Sequence, residues 1–253
     1  VTGAAINVVA DSLPTARRVT PPACPACGAP RPARAWSAVV GGLAGAAVCA
    51  YCGRPRGWRA VTVELAAIAG AVWIWQRNPA PKEFVLGFLV GAILLLIGLI
   101  DLEHRLILHA VSLPAAVVVG AAHALDPARG LTKTLLGGLV GLALVLGLYL
   151  LGGLFARLVA RLRKHPLDEV AFGFGDVTLS AVIGLAVGWP GVIVALLLGI
   201  LAAGLFSLGY VVWMVARRRY SAFTPIPYGP FLILGAWVVY FGGREVFQPL
   251  VGG

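Results

Sequence analysis

The chain has little charge. Of its 253 residues only 12% are Asp, Glu, Lys or Arg, and the acids number ten. About a quarter of an ordinary soluble domain is charged, so a water-exposed globule is excluded. The four cysteines all fall in the only extended polar stretch, residues 11–59. That grouping argues for a metal site rather than disulfides. No glycine-rich cofactor fingerprint is visible in the same stretch. No initiator Met opens the chain, and no small-residue cleavage site follows the apolar residues 1–10 (VTGAAINVVA), which speaks against a signal peptide. Those ten residues read as the tail of a first, truncated transmembrane helix.

What is abundant fits the same class. Hydrophobic residues make up 60% of the chain, glycines number 33, and the mean hydropathy is +0.92. This is the profile of a polytopic integral membrane protein. From residue 60 onward, apolar runs of helix-spanning length alternate with short polar breaks. The expected spans are 60–76, 84–100, 106–125, 132–160, 176–188, 190–216 and 227–243. With the truncated first helix they predict an all-α bundle of about eight spans. Three regions follow: residues 1–10 in the first helix, 11–59 as a small cytoplasmic loop domain, and 60–253 as the membrane-embedded part.

The net charge of +10 invites a nucleic-acid reading, but the positions of the cations exclude it. Arg77, Lys82, Arg129, Lys133 and Arg244 fall in one set of loops. The other fifteen Lys and Arg residues fall in the opposite set, which the positive-inside bias puts in the cytoplasm. The cysteine loop shares that side, where thiols stay reduced.

Cys24-Pro25-Ala26-Cys27-Gly28 and Cys49-Ala50-Tyr51-Cys52-Gly53 form two CxxC knuckles, each followed by a glycine that permits a tight turn. Four thiolates make a tetrahedral zinc site with no open position. The metal therefore folds the loop and does not catalyse.

Two acids stand out in apolar surroundings. The run GAILLLIGLI ends in Asp101-Leu102-Glu103-His104-Arg105, and Ala171-Phe172-Gly173-Phe174-Gly175-Asp176 opens another apolar segment. A carboxylate buried in a bilayer costs about 2.5–3.5 kcal/mol, so such acids face a protein interior or a wet cavity. Asp176 also suits the first turn of a helix, where free N–H groups and the macrodipole favour an anion. Both acids are expected at the cytoplasmic ends of their helices. Two carboxylates at one depth can share a proton, one acting as base while the other donates. That is the pairing an aspartic protease uses.

These residues resemble the prepilin peptidases, membrane aspartic proteases of the GxGD type. The resemblance rests on Asp101-Leu102-Glu103-His104-Arg105-Leu106-Ile107 with Ser112-Leu113-Pro114, on Gly173-Phe174-Gly175-Asp176, and on the paired CxxC loop. Asn7-Val8-Val9 with Leu13-Pro14, Val63-Glu64-Leu65 and Ile226-Pro227-Tyr228-Gly229-Pro230-Phe231 add to it, in the family's order. It implies removal of a basic leader from type IV prepilins or pseudopilins at the cytoplasmic face of the bacterial inner membrane. Asp101 and Asp176 are then the catalytic dyad, and Cys24, Cys27, Cys49 and Cys52 the zinc ligands. It further implies N-methylation of the new amino terminus with S-adenosylmethionine, for which Glu64 is a candidate cofactor or substrate contact. Membrane lipids are expected partners. The chain departs from the family at Thr178, where Lys is usual, and at Leu108-His109, where Pro followed by Asp or Asn is usual. The missing Pro predicts a straighter entry to the third span.

Other readings of the acids remain open. Asp101 and Asp176 suit the ion sites of a transporter, and the cysteine loop suits a non-enzymatic assembly protein. His104 and His109 read as solvated residues at the membrane surface, Glu103 as a neighbour of Asp101 that the helix turns away from it, and Glu64 alone as an anion favouring a helix terminus.

Overall fold

The computed structural model describes residues 1–77, 79–163, 173–218 and 227–246. Ala171, Phe172, Lys164, Arg219 and Ile226 lie outside the described residues. The regular elements are α1 (Thr2–Ala16), a 3-10 turn (Ala33–Ala35), α2 (Ala38–Leu43), α3 (Trp58–Arg77), α4 (Pro81–His104), α5 (His109–Ala124), α6 (Gly130–Arg163), α7 (Phe174–Val187), α8 (Gly191–Ala216) and α9 (Gly229–Val246). Only two isolated bridges, and no strand, occur among the described residues. The chain divides into two compact units, residues 1–100 and 101–253.

In the first unit α1 packs against α3. A Cβ at Gly3 would come within 2.7 Å of the Glu64 Cα, so only glycine permits this approach. Asn7 Nδ2 donates to the Ala60 carbonyl at 2.9 Å, and Arg59 pairs with Asp11 at 2.6 Å. The helix runs six residues past its expected end at Ala10. Asp11-Ser12-Leu13-Pro14 reads as a break, yet Pro14 sits in the last turn, where little ladder remains to be lost. Ser12 Oγ donates back to the Val8 carbonyl at 2.6 Å, and Arg17 closes the helix in the left-handed conformation.

The second unit is organised around α7. Residues on nearly every side of this helix are buried, among them Val177, Leu179, Ser180, Val182, Ile183 and Ala186. It packs against α5, α6, α8 and α9. Glycines allow the closest approaches: a Cβ at Gly137 would overlap the Gly184 carbonyl oxygen, and one at Gly141 the Ser180 carbonyl oxygen. Ser180 Oγ donates to the Gly141 carbonyl at 2.9 Å. Close packing thus accounts for Gly137, Gly141 and Gly199, whereas among the described residues nothing lies within reach of a Cβ at Gly147, Gly152, Gly153, Gly204 or Gly209. Leu139, Leu151 and Phe155 of α6 are exposed, an apolar face suited to lipid.

Among the described residues, four helices are long and apolar enough to cross a membrane: Trp58–Arg77, Pro81–His104, Gly130–Leu158 and Gly191–Ala216. His109–Ala124, Phe174–Val187 and Gly229–Gly242 are apolar but shorter. At about 1.5 Å per residue, a 14-residue helix reaches about 21 Å of a core about 30 Å thick. The sequence runs were continuous in hydropathy but not in backbone. Gly173, and Gly188 with φ 80°, bound α7 at its two ends.

Candidate active site and metal centre

Both acids lie in the second unit, at helix ends. Asp101 occupies the last turn of α4, and Asp176 is the third residue of α7. Each is almost completely buried, at 5% and 8% exposure. The two are held alike. Gly173 N–H, just before α7, donates to Asp176 Oδ2 at 3.0 Å, and Gly229 N–H, at the start of α9, donates to Asp101 Oδ2 at 3.1 Å. The bond at Asp176 is the return half of a capping box, so the helix-start reading of this residue holds. It engages one carboxylate oxygen only. Among the described residues nothing donates to either Oδ1, and no buried side-chain oxygen lacks a partner, so each Oδ1 keeps contact with solvent.

The acids are also within Coulombic reach of each other. One side chain packs against glycines beside both acids. A Cβ at Gly175 would lie 2.7 Å from Ile107 Cβ, and one at Gly229 would lie 3.4 Å from Ile107 Cδ1. Ile107 follows Arg105, whose φ of 53° ends α4 in the left-handed conformation. The chain therefore breaks between α4 and α5 without the proline that the family usually has there. Thr178, the other departure, faces α5: its Oγ1 lies 3.1 Å from Ser112 Oγ and donates to the Gly175 carbonyl at 2.9 Å.

Tyr228 adjoins Gly229 and lies within Coulombic reach of Asp176. His109 stacks on Phe174 with ring centroids 5.5 Å apart, and Tyr149 meets the same ring edge-on. No sequence reasoning gave Gly229 or Ile107 a role. The signal for Gly229 was its place between Tyr228 and Pro230, a glycine whose backbone is free to approach another group.

The cysteines lie in the first unit and form two matched turns. Cys24 N–H donates to the Ala29 carbonyl and Gly28 N–H to the Cys24 carbonyl; Cys49 with Arg54, and Gly53 with Cys49, repeat this at the same spacing. Gly28 and Gly53 close the turns at φ 70° and 68°. All four Sγ atoms lie within 4.8 Å of one another, with Cys24–Cys52 and Cys27–Cys49 at 3.7 Å. Zinc–sulfur bonds of about 2.3 Å in a tetrahedron put the sulfurs about 3.8 Å apart, so this donor set fits zinc. The backbone N–H groups of Ala26 and Cys27 hold the Cys24 thiol down to about 6, which favours the thiolate a metal needs.

Glu64, buried in α3, is occupied. Its Oε1 accepts from Ala38 N–H at 2.6 Å, and its Oε2 from Ser37 Oγ at 2.6 Å and Val39 N–H at 3.0 Å. This carboxylate ties the start of α2, between the two knuckles, to α3.

Residues 88–208, which include both acids, match the type IV leader peptidase family. The chain is similar to the prepilin leader peptidase/N-methyltransferase of Xanthomonas campestris pv. campestris, 30% identical over 58% of this chain and 46% of that protein. Proteins of the same name in Stutzerimonas stutzeri and Pseudomonas aeruginosa are 27% and 28% identical, over 65% and 60% of this chain and 54% and 48% of theirs. The chain spans about half the length of these curated relatives. No solved structure matches it. The stretch that matches the type IV leader peptidase family encloses both carboxylates, Asp101 and Asp176.

Proposed function

We propose that the chain is a membrane aspartic endopeptidase that removes the leader of a type IV prepilin-like or pseudopilin protein, with Asp101 and Asp176 as its dyad. The observation that carries this reading is the matched anchoring of the two acids, each with Oδ2 on a glycine N–H and Oδ1 unengaged. A fixed oxygen orients each carboxylate, and the second is left for water or substrate. One acid, ionised, takes a proton from the attacking water as its oxygen bonds to the scissile carbonyl carbon. The other, protonated, gives its proton to the carbonyl oxygen. The tetrahedral species then collapses: the C–N bond breaks as the first acid passes its proton to the leaving nitrogen, and a hydroxyl of the intermediate returns its proton to the second acid. No covalent intermediate forms. Ion transport is disfavoured because the acids share one site instead of marking a path across the membrane.

The bundle sits in the bacterial inner membrane, with about eight helices in it and the cysteine loop and dyad at the cytoplasmic side. The fifteen-to-five split of cations supports that orientation. Cys24, Cys27, Cys49 and Cys52 hold a zinc ion whose part is to fold the loop. Methylation of the new amino terminus is a second activity of the same chain, supported by the N-methyltransferase in its relatives' names. S-adenosylmethionine is its methyl donor, and no residue here is assigned to bind it. The experiment is to incubate the purified chain with a prepilin and the donor and weigh the product. Loss of the leader mass tests hydrolysis, and an added methyl group tests the transfer.

A further inference from the structure

A cavity of about 430 Å3 opens in the first unit between the end of α1, the first turn of α3 and the first metal knuckle. Its charge is unbalanced. Arg31, Arg56 and Arg59 line it against one acid, Asp11, and Asp11 is paired with Arg59. Arg56 donates to the carbonyls of Ala35 and Trp36 at 2.6 and 3.1 Å, bonds that orient the guanidinium without neutralising it. Arg31 is half-buried; its backbone N–H donates to the Pro22 carbonyl, and among the described residues no carboxylate or carbonyl accepts from its guanidinium. Burial, and then the charge of Arg31, press Arg56 below the ordinary arginine value against the smaller opposing pull of Glu64 and Asp11, so the two guanidinium groups repel each other and are only partly offset. Like cations held together beside an open cavity call for an anion.

The hydroxyls add a second requirement. Ser12 Oγ already donates to the Val8 carbonyl, and Thr15 Oγ1 to that of Asp11. Towards the cavity both oxygens can only accept. A ligand that satisfies the site thus carries an anionic group for the arginines and hydroxyl donors for α1.

The depth of the cavity selects the source. Its wall includes Gly57, Arg59 and Ala60, where α3 begins, and α3 is one of the helices able to cross a membrane. Trp58, within that turn, is 78% exposed, as are the tryptophans that mark the headgroup level of membrane spans. We propose that this cavity binds the phosphodiester of an anionic phospholipid with a hydroxylated headgroup, such as phosphatidylglycerol, through Arg31 and Arg56. The metal knuckle and the ends of α1 and α3 then close around one lipid. The site is separate from the acids, and its test does not involve peptide cleavage.

Cys24 also lines the cavity, and a zinc ion with four thiolates carries a net double negative charge that the arginines could serve instead. The test separates the two roles. The purified, zinc-loaded full chain is titrated in uncharged detergent with short-chain phosphatidylglycerol, phosphatidylcholine and inorganic phosphate, and retained lipid and zinc are read by native mass spectrometry. Phosphatidylglycerol should be retained about tenfold more tightly than phosphatidylcholine, a preference that Arg31→Gln removes with one zinc still bound and Arg31→Lys partly restores. Equal retention of the two lipids by the wild-type chain overturns the proposal, and it requires no variant to fold. So does tight binding of inorganic phosphate without a lipid preference. Loss of zinc from Arg31→Gln with the lipid preference intact assigns the arginine to the thiolates and overturns it equally.

Discussion

Asp101, at the end of α4, is held by a residue 128 positions further along the chain: Gly229 N–H donates to its Oδ2 at 3.1 Å. No side chain is present to come between them, since a Cβ at Gly229 would stand 2.5 Å from that oxygen and 3.2 Å from its carbon. Gly229→Ala must therefore displace the carboxylate or the start of α9. Cleavage of a prepilin by this variant should fall about a hundredfold, as misplacement by about 1 Å does elsewhere. Zinc content, set in the other unit, should not change. Wild-type cleavage by Gly229→Ala would remove Gly229 from the site.

The proposed mechanism needs both acids. Asp101→Asn and Asp176→Asn each remove one proton carrier while keeping the amide oxygen available to its glycine. Each should lower the cleavage rate by about a thousandfold or more, and the double variant should be little worse than either single one, because the two act as a unit. Rates for the three variants, measured on one prepilin, settle it. Multiplicative losses would mean independent roles and sink the shared-proton scheme.

Ile107 lies against Gly175, and a Cβ there would meet Ile107 Cβ at 2.7 Å. Gly175→Ala should thus destabilise by about 1–3 kcal/mol and slow cleavage. Ile107→Ala makes a space, so the double variant Gly175→Ala/Ile107→Ala should recover part of both losses. A double-mutant cycle of thermal midpoint and cleavage rate measures the coupling. Simple additivity would show that the two residues do not meet.

Much of this could be read from the residues alone. The helices from α3 to α9 follow the hydropathy, because a backbone in lipid has to satisfy its own hydrogen bonds and a helix does so. Asp101, Asp176 and the cysteines stood out as polar groups in unexpected company. Other features depend on contacts between distant segments, which no local pattern contains. Gly229 reads as a turn residue until α9 brings it to Asp101. Glu64 reads as an acid at a helix start, and only the folded loop shows Ser37, Ala38 and Val39 around it. Helix ends were the other gap. α1, α4 and α8 are each followed by an arginine in the left-handed conformation, Arg17, Arg105 and Arg218, where glycine is the usual signal.

Metal removal should affect the two units differently. Cys24→Ser or a strong chelator should release the proposed zinc and unfold the stretch carrying the two knuckles, whose only regular elements are a 3-10 turn and the short α2. The helices of residues 101–253 form the other compact unit. Helicity by circular dichroism should fall only slightly while protease sites open between residues 20 and 56. A collapse of the whole spectrum on chelation would show that the ion supports more than the loop.

Glu64 gives the sharpest test of how that loop is attached. Its two oxygens take three donors, and Ser37 Oγ in turn accepts from Val40 N–H, so one carboxylate fixes the first turn of α2. Arg56 secures the preceding residues through the Ala35 and Trp36 carbonyls. Glu64→Ala leaves the Ala38 and Val39 N–H groups without their acceptor, at a cost of about 1–3 kcal/mol for each that stays buried. Glu64→Gln keeps one acceptor oxygen and should lose less. Hydrogen exchange at residues 37–43 should accelerate strongly in the Ala variant and moderately in the Gln variant, with exchange in α7 unchanged. If Glu64 instead holds a methyl donor, exchange will be nearly normal in both variants, and methylation will fail while α2 stays docked.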